Sequence, residues 1–316
     1  MFDKKRVKIN DRGAILISGL GEYDLEKTME CGQCFRYERI PGDENVKAYQ
    51  TVVGNLLIEV WQKRAGELIF FNLTDEEFEG VAVPYFALAN DLAKIKESIK
   101  AHTDSQWLGE AADASSGIAI LKQDPWESLV SFIISQNNNI PRIRKIVREI
   151  CAEYGVNLCL QKENVSKCPL DIISDTPCKE KCRKCGRCYT FPTPSDILNF
   201  PEGLLPSRPG FRYGYILDAA EKVYSGQCDL EKIRKRASYE YTREELKKIK
   251  GVGDKVAACV ALFGFSNLEA FPIDVWMKRA IDTYFDGKLD PTTLGPYAGI
   301  AQQYIFNYIR YLSSVK

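Results

Sequence analysis

Leu246-Lys247-Lys248-Ile249-Lys250-Gly251-Val252-Gly253-Asp254-Lys255-Val256-Ala257 is the stretch on which the reading of the fold turns. A helix ends at Gly251, a tight turn with two glycines follows, and a second helix begins near Asp254. Glycine at 251 and 253 lets the backbone take positive φ and approach a ligand closely. The N–H groups that open the second helix have no intrahelical partner and sit at the positive end of its dipole, which makes the turn an anion site. Lys255 falls in the first turn of that helix, where the dipole disfavours a cation, and a neutral amine is the form a nucleophile needs. The plainer alternatives are a glycine-rich turn without a ligand and a solvated surface lysine.

Outward from this turn the chain divides by period. Residues 1 to about 75 read as an antiparallel sheet, with β-branched and aromatic segments at Ala14–Ile17, Cys34–Tyr37, Tyr49–Val53 and Leu68–Phe71. Gly54-Asn55 suits a tight hairpin between Thr51–Val53 and Leu56–Ile58. After about residue 80 the spacing becomes helical, as in Leu92, Ile95 and Ile99, and stays so to the end except over 157–193. That stretch is polar and cysteine-rich and reads as an insertion. The expectation is an α+β chain: a sheet domain over residues 1–115 with flanking helices, then a two-lobed all-α body over 116–316 carrying the Cys-rich insertion at about 157–190.

Composition narrows the chemistry. The 316 residues carry 43 basic and 43 acidic side chains, so no global charge drives the chain onto a polyanion. A single histidine, His102, lies in a polar stretch and reads as exposed, which leaves Lys, Asp, Glu, Cys or Tyr to do any catalysis. Asp274 in Phe271-Pro272-Ile273-Asp274-Val275 opens a helix, and the simple reading is an N-cap. A capping carboxylate is held rigidly and can still face a cleft. Lysine and aspartate at two helix starts suit attack on a sugar carbon with carboxylate support. The charged N-terminus has no apolar run behind it and no segment approaches a membrane span, so the expectation is a cytoplasmic monomer without membrane contact.

Several motifs in order then resemble the 8-oxoguanine DNA glycosylase/lyase branch of the helix-hairpin-helix superfamily. They are Cys31-Gly32-Gln33-Cys34-Phe35-Arg36-Tyr37, Gln123-Asp124-Pro125-Trp126-Glu127, Ser135-Gln136-Asn137-Asn138-Asn139-Ile140-Pro141-Arg142, Gly210-Phe211-Arg212-Tyr213, the Gly251–Ala257 hairpin, Pro272-Ile273-Asp274-Val275 and Tyr297-Ala298-Gly299-Ile300-Ala301-Gln302. The resemblance implies base-excision repair of duplex DNA: the damaged nucleotide is flipped out, Lys255 attacks C1′, a Schiff base forms and β-elimination cuts the strand. No cofactor is needed for that chemistry. Asp274 is implied to stabilise positive charge on the sugar, and the Gly32 carbonyl to accept from the N7–H that 8-oxoguanine has and guanine lacks. Asn137 and Arg142 are implied to contact the strand and the estranged cytosine, Arg212 to read that cytosine as well, and Phe211 to wedge into the gap.

The pocket residues make physical sense beside the resemblance. Cys259 follows Lys255 by one helical turn, and Phe306 follows Gln302 in the same way. A flipped purine can stack between Phe306 and the polarisable sulfur of Cys259 while Gln302 bonds its Watson–Crick edge. Plain core packing is the competing reading for Cys259 and Phe306. Two departures from the family stand out. Trp276 occupies the place where relatives often carry a phosphate-binding histidine, leaving Lys278 or Arg279 to replace that contact. Cys178, Cys182, Cys185 and Cys188 lie within eleven basic-rich residues and suit a structural 4Fe–4S cluster or zinc, or an unstructured thiol-rich loop. The rival functions are a glycosylase for another lesion, such as an alkylated base, and a non-enzymatic DNA-binding protein.

Overall fold

The computed structural model describes residues 2–161 and 187–314. Strands β1 (Asp3–Ile9), β2 (Arg12–Ser18), β3 (Tyr37–Arg39), β4 (Lys47–Val53), β5 (Leu56–Gln62) and β6 (Glu67–Phe71) form one antiparallel sheet in the order β1-β2-β6-β5-β4-β3. Alternation sets its faces. Ile15, Ile17, Leu68 and Phe70 project into the main core, whereas Ala14, Ile69 and Phe71 form a small cluster with Trp61 on the other side. The expected hairpin pairs Val53 with Leu56 around Gly54-Asn55. The edge strand β1 escapes the sequence reading because Asp3, Lys4, Lys5 and Arg6 are all exposed and show no apolar alternation. Charges on an edge discourage further strand pairing.

One expected strand is corrected. Of Cys34–Tyr37 only Tyr37 enters β3, and residues 31–36 form an irregular buried segment. Its polar groups are satisfied by side-chain amides rather than by a ladder. Gln33 Nε2 donates to the carbonyls of Thr28 and Ala119, both at 2.8 Å, and Gln33 Oε1 accepts from the Leu121 N–H at 2.8 Å. Gln123 Nε2 donates to the Gln33 carbonyl at 2.8 Å. A buried backbone without such partners would cost far more than this loop can recover.

The remaining elements are helices, among them α1 (Leu25–Glu30), α2 (Leu92–Ala101), α3 (Gln106–Ala114), α4 (Pro125–Ser135), α5 (Ile140–Tyr154), α6 (Pro194–Asn199), α7 (Arg212–Tyr224), α8 (Leu230–Arg236), α9 (Tyr239–Lys247), α10 (Asp254–Phe265), α11 (Val275–Tyr284) and α12 (Ala298–Ser314). Caps explain several starts. Asp124 accepts from the Glu127 N–H ahead of α4, where Pro125 takes the first helical position, and Asn139 accepts from the Arg142 N–H ahead of α5. Helices α4 and α10 are apolar nearly all round and pack at the centre of the body, with Phe132 stacked on Phe263 at 5.3 Å. The sheet and these helices share one hydrophobic core. Among the described residues no helix is long and apolar enough to cross a membrane.

Candidate active site

The C-terminus of α4 and the N-terminus of α10 open onto a cavity of about 390 Å³, within the range of small-ligand pockets. Its lining includes all six side chains and backbone positions expected of a catalytic pair and base pocket: Lys255, Asp274, Gly32, Cys259, Gln302 and Phe306. They come from α10, α11, α12 and the loop after α1.

Lys255 Nζ donates to Ser135 Oγ at 3.0 Å, and Ser135 Oγ donates in turn to the Phe132 carbonyl at 2.8 Å. The Lys255 head lies 5.4 Å from the Phe132 ring centre. Ser135 therefore holds the amine at the cavity wall, a part that the sequence reading did not give it. Asp274 caps α11 through Oδ1, which accepts from the Met277 N–H at 2.8 Å. One carboxylate oxygen is thus fixed by the backbone, as the N-cap reading requires, while the residue lines the cavity. Burial pushes the Cys259 thiol above its ordinary value; nearby Lys255 opposes that shift and Asp274 adds to it. The sulfur is a neutral, polarisable surface.

Gly32 takes φ +87°, and a Cβ there would meet the Phe306 ring at 3.4 Å. Its backbone consequently lies against the ring, with the Gln33 amide network behind it. Gln302 and its neighbour Gln303 are both buried. Trp276, Gln303 and Arg310 also line the cavity and were not anticipated as part of the pocket. Arg310 stacks on Phe306 at 5.3 Å from the ring centre. Lys278 and Arg279 are exposed outside it, with Arg279 6.0 Å from the Trp276 ring.

A second group lies along the adjoining surface. Asn137 is exposed, with φ +46°, and Arg142 is exposed on α5. Phe211 is 56% exposed, which is far more than packing explains for a large aromatic side chain. Arg212 differs: it is buried, donating to the carbonyls of Gln136, Asn137 and Pro209, and its guanidinium stacks on Phe211 at 4.3 Å. Burial, then the charge of Arg142, lowers its pKa. Its Nε and one terminal nitrogen hold the carbonyls of the Asn137 turn in shape, while the other terminal nitrogen bonds Pro209.

The hairpin is bolted to α7. Asp218 accepts from the Lys250 N–H at 2.7 Å and from Lys222 Nζ at 2.8 Å. Gly251 takes φ +81°, and a Cβ there would fall 2.3 Å from the Tyr215 ring. Tyr215 in turn makes an edge contact with Phe211 at 5.8 Å. Gly253 takes φ −95° rather than the positive value expected and caps α10 without a side-chain bond, so the first N–H groups of α10, without partners among the described residues, stand open to an anion. Gly251→Ala should therefore lower stability by about 2 kcal/mol or more and displace Phe211 along with Tyr215. Thermal unfolding and duplex-binding titration check this, and an unchanged melting temperature would show that Tyr215 yields freely.

Of the four clustered cysteines, Cys178, Cys182 and Cys185 lie outside the described residues. Cys188 is buried, its sulfur accepting from Gln50 Nε2 at 3.1 Å and its carbonyl from the Leu158 N–H at 2.8 Å. Among the described residues no group of three His, Cys, Asp or Glu side chains is placed to hold a metal. His102 is exposed, as expected.

The family model for the N-terminal domain of 8-oxoguanine DNA glycosylase matches residues 15–129. The N-glycosylase/DNA lyase of Saccharomyces cerevisiae is 29% identical over 282 residues, spanning 82% of this chain and 67% of that protein. The structure of MBOgg1 with a low-affinity DNA ligand is 32% identical with a TM-score of 0.81, covering 98% of this chain and 99% of that one. That of the Clostridium acetobutylicum 8-oxoguanine glycosylase/lyase, bound to duplex DNA with cytosine opposite 8-oxoguanine, is 31% identical with a TM-score of 0.80 over 99% and 98%. Identity above 30% sustained from end to end of two such chains leaves little room for a separate origin: this chain belongs to the 8-oxoguanine DNA glycosylase/lyase family.

Proposed function

We infer that the protein is a bifunctional base-excision repair glycosylase and AP lyase that removes 8-oxoguanine opposite cytosine from duplex DNA. The observation that carries this reading is the convergence of Lys255 and Asp274 with Gly32, Cys259, Gln302 and Phe306 on one base-sized cavity. Flipping puts the damaged nucleotide in that cavity at the cost of unstacking. The base lies between Phe306 and the Cys259 sulfur, Gln302 meets its Watson–Crick edge, and the Gly32 carbonyl accepts from N7–H. That last bond is worth roughly 1–3 kcal/mol against undamaged guanine.

Lys255 Nζ then forms a bond to C1′ as the glycosidic bond breaks, and the base leaves with the bonding pair and is protonated. Ring opening at O4′ gives the Schiff base. Loss of a C2′ proton and departure of the 3′ phosphate complete β-elimination. Asp274, held by its cap bond, lies where positive charge develops on the sugar. These steps need no cofactor. Exposed Phe211 fills the gap in the stack, Asn137 and Arg142 approach the strand and the estranged cytosine, and Arg212, which also braces the Asn137 turn, reads that cytosine with them. The open N–H groups after Gly251 and Gly253 take a phosphate.

The test is borohydride trapping on duplexes with 8-oxoguanine opposite cytosine, beside undamaged guanine and alkylated-base controls. A covalent adduct specific to 8-oxoguanine is expected; an adduct formed only with another lesion would overturn the substrate and keep the chemistry.

For the insertion we propose a structural 4Fe–4S cluster or zinc held by Cys178, Cys182, Cys185 and Cys188, on the ground that four thiols fall within eleven residues. Metal analysis should find iron with sulfide, or zinc, in the wild type and not in Cys182→Ser, whose melting temperature falls while excision persists. Metal-free wild type, or a Cys182→Ser protein that keeps metal and stability, removes the proposal.

A further inference from the structure

The purine pocket holds a second buried amide that the reaction as derived does not use. Gln303 Nε2 donates to Gln302 Oε1 at 2.8 Å, and the Gln303 Oε1 at the other end is sealed from solvent with no hydrogen-bond partner among the described residues. Gln302 Nε2 makes no hydrogen bond among the described residues and is not sealed, so it is the end left for the cavity. We propose that Gln303 is a positioning residue that fixes the amide orientation of Gln302 and thereby sets the pocket for guanine-type rather than adenine-type oxidised purines. This rests on the reading of the cavity as a base pocket.

The two purine classes present opposite patterns at the same place. A guanine-type edge offers the O6 acceptor beside the N1–H donor; an adenine-type edge offers the N6–H donor beside the N1 acceptor. A carboxamide free to turn over serves both, because its oxygen and nitrogen simply exchange places. Here the turn is blocked. Rotating Gln302 alone would set its Nε2 against Gln303 Nε2, donor facing donor. Rotating both amides would restore one bond but put an NH2 group, with both hydrogens unpaired, where a lone carbonyl oxygen now sits. A buried orphan N–H is tolerated less than a buried orphan C=O. With Oε1 anchored from one side, Gln302 keeps its second lone pair for N1–H and its Nε2 for O6.

The test compares single-turnover excision of 8-oxoguanine and 8-oxoadenine by the full-length wild type, Gln303→Leu and Gln303→Glu. Trapping on a duplex with a preformed abasic site serves as a control that needs no base recognition. The wild type should prefer 8-oxoguanine, and Gln303→Leu should narrow that preference at least tenfold once each rate is divided by the same variant's abasic-site trapping. Gln303→Glu should show a preference that depends on pH. Protonated, the acid donates to Gln302 as the amide does; ionised, it only accepts, turns Gln302 Nε2 inward and shifts excision toward 8-oxoadenine. A merely structural role moves neither the ratio nor its pH profile. If the wild type excises neither purine, the base-pocket reading fails and this inference with it. If excision is normal and the ratio stays fixed in both variants, or is independent of pH in Gln303→Glu, only this inference fails.

Discussion

Lys255→Gln should form no borohydride-trapped adduct and should lose strand cleavage, with base release slowed on the order of 10⁴–10⁶-fold, as when other enzymes lose their nucleophile. The variant isolates chemistry from structure. Glutamine keeps a polar N–H donor on a side chain one atom shorter, so the variant gives up the 3.0 Å bond to Ser135 Oγ and the amine's place 5.4 Å from the Phe132 ring without leaving a large void. Its stability should stay within about 1 kcal/mol of wild type, and binding to an 8-oxoguanine duplex should survive. Stopped or single-turnover assays with trapping read all three quantities. Retained base release alongside lost trapping would instead mean that water attacks C1′ and that the amine serves only the later elimination.

Asp274 separates by substitution in a different way, because its cap bond and its proposed part in the reaction can be removed one at a time. Asp274→Asn keeps a side-chain oxygen to accept from the Met277 N–H, and asparagine is among the best N-caps, so thermal unfolding should scarcely change. Asp274→Ala loses the cap and about 1 kcal/mol of stability. Both lose the negative charge facing the cavity, and both should slow base release by about 10²–10⁴-fold. The decisive comparison is the asparagine variant: unaltered melting with crippled excision assigns the carboxylate to the reaction. Near-normal excision in that variant would reduce Asp274 to a helix cap.

Much of this was legible because it was local. The two-glycine turn, the Gly54-Asn55 hairpin and the helix opened by Asp274 follow from backbone preferences that act over a few residues. Lys255 with Cys259, and Gln302 with Phe306, could be paired by helical spacing. What the reading missed depends on distant partners. Cys34–Tyr37 has strand-like composition, yet a left-handed Gly32 and bonds from Gln33 to Ala119 and Leu121 just ahead of it hold all but Tyr37 irregular. Ser135 gains its role only because α4 meets α10. The burial of Arg212 against the distant carbonyls of Gln136 and Asn137 was likewise beyond any spacing rule, and it leaves the proposed reading of the cytosine untouched. Strand β1 was invisible for the opposite reason: its pairing with β2 is backbone work, and its side chains carry no pattern.

The Gln33 clasp has an implication for how such an enzyme can change. The carbonyl assigned to sensing oxidation belongs to a loop ahead of residue 116, while the amine and carboxylate assigned to bond breaking come from helices behind it. The two meet across amide contacts such as Gln33 to Ala119 and Leu121, the Arg36–Glu127 ion pair and the shared core. The proposed detector and cutter thus sit on opposite sides of one seam within a single core. Mutations that slide or reshape that clasp can retune which lesion is admitted without touching the machinery that acts on it, so new lesion preferences are open to the lineage without rebuilding the reaction.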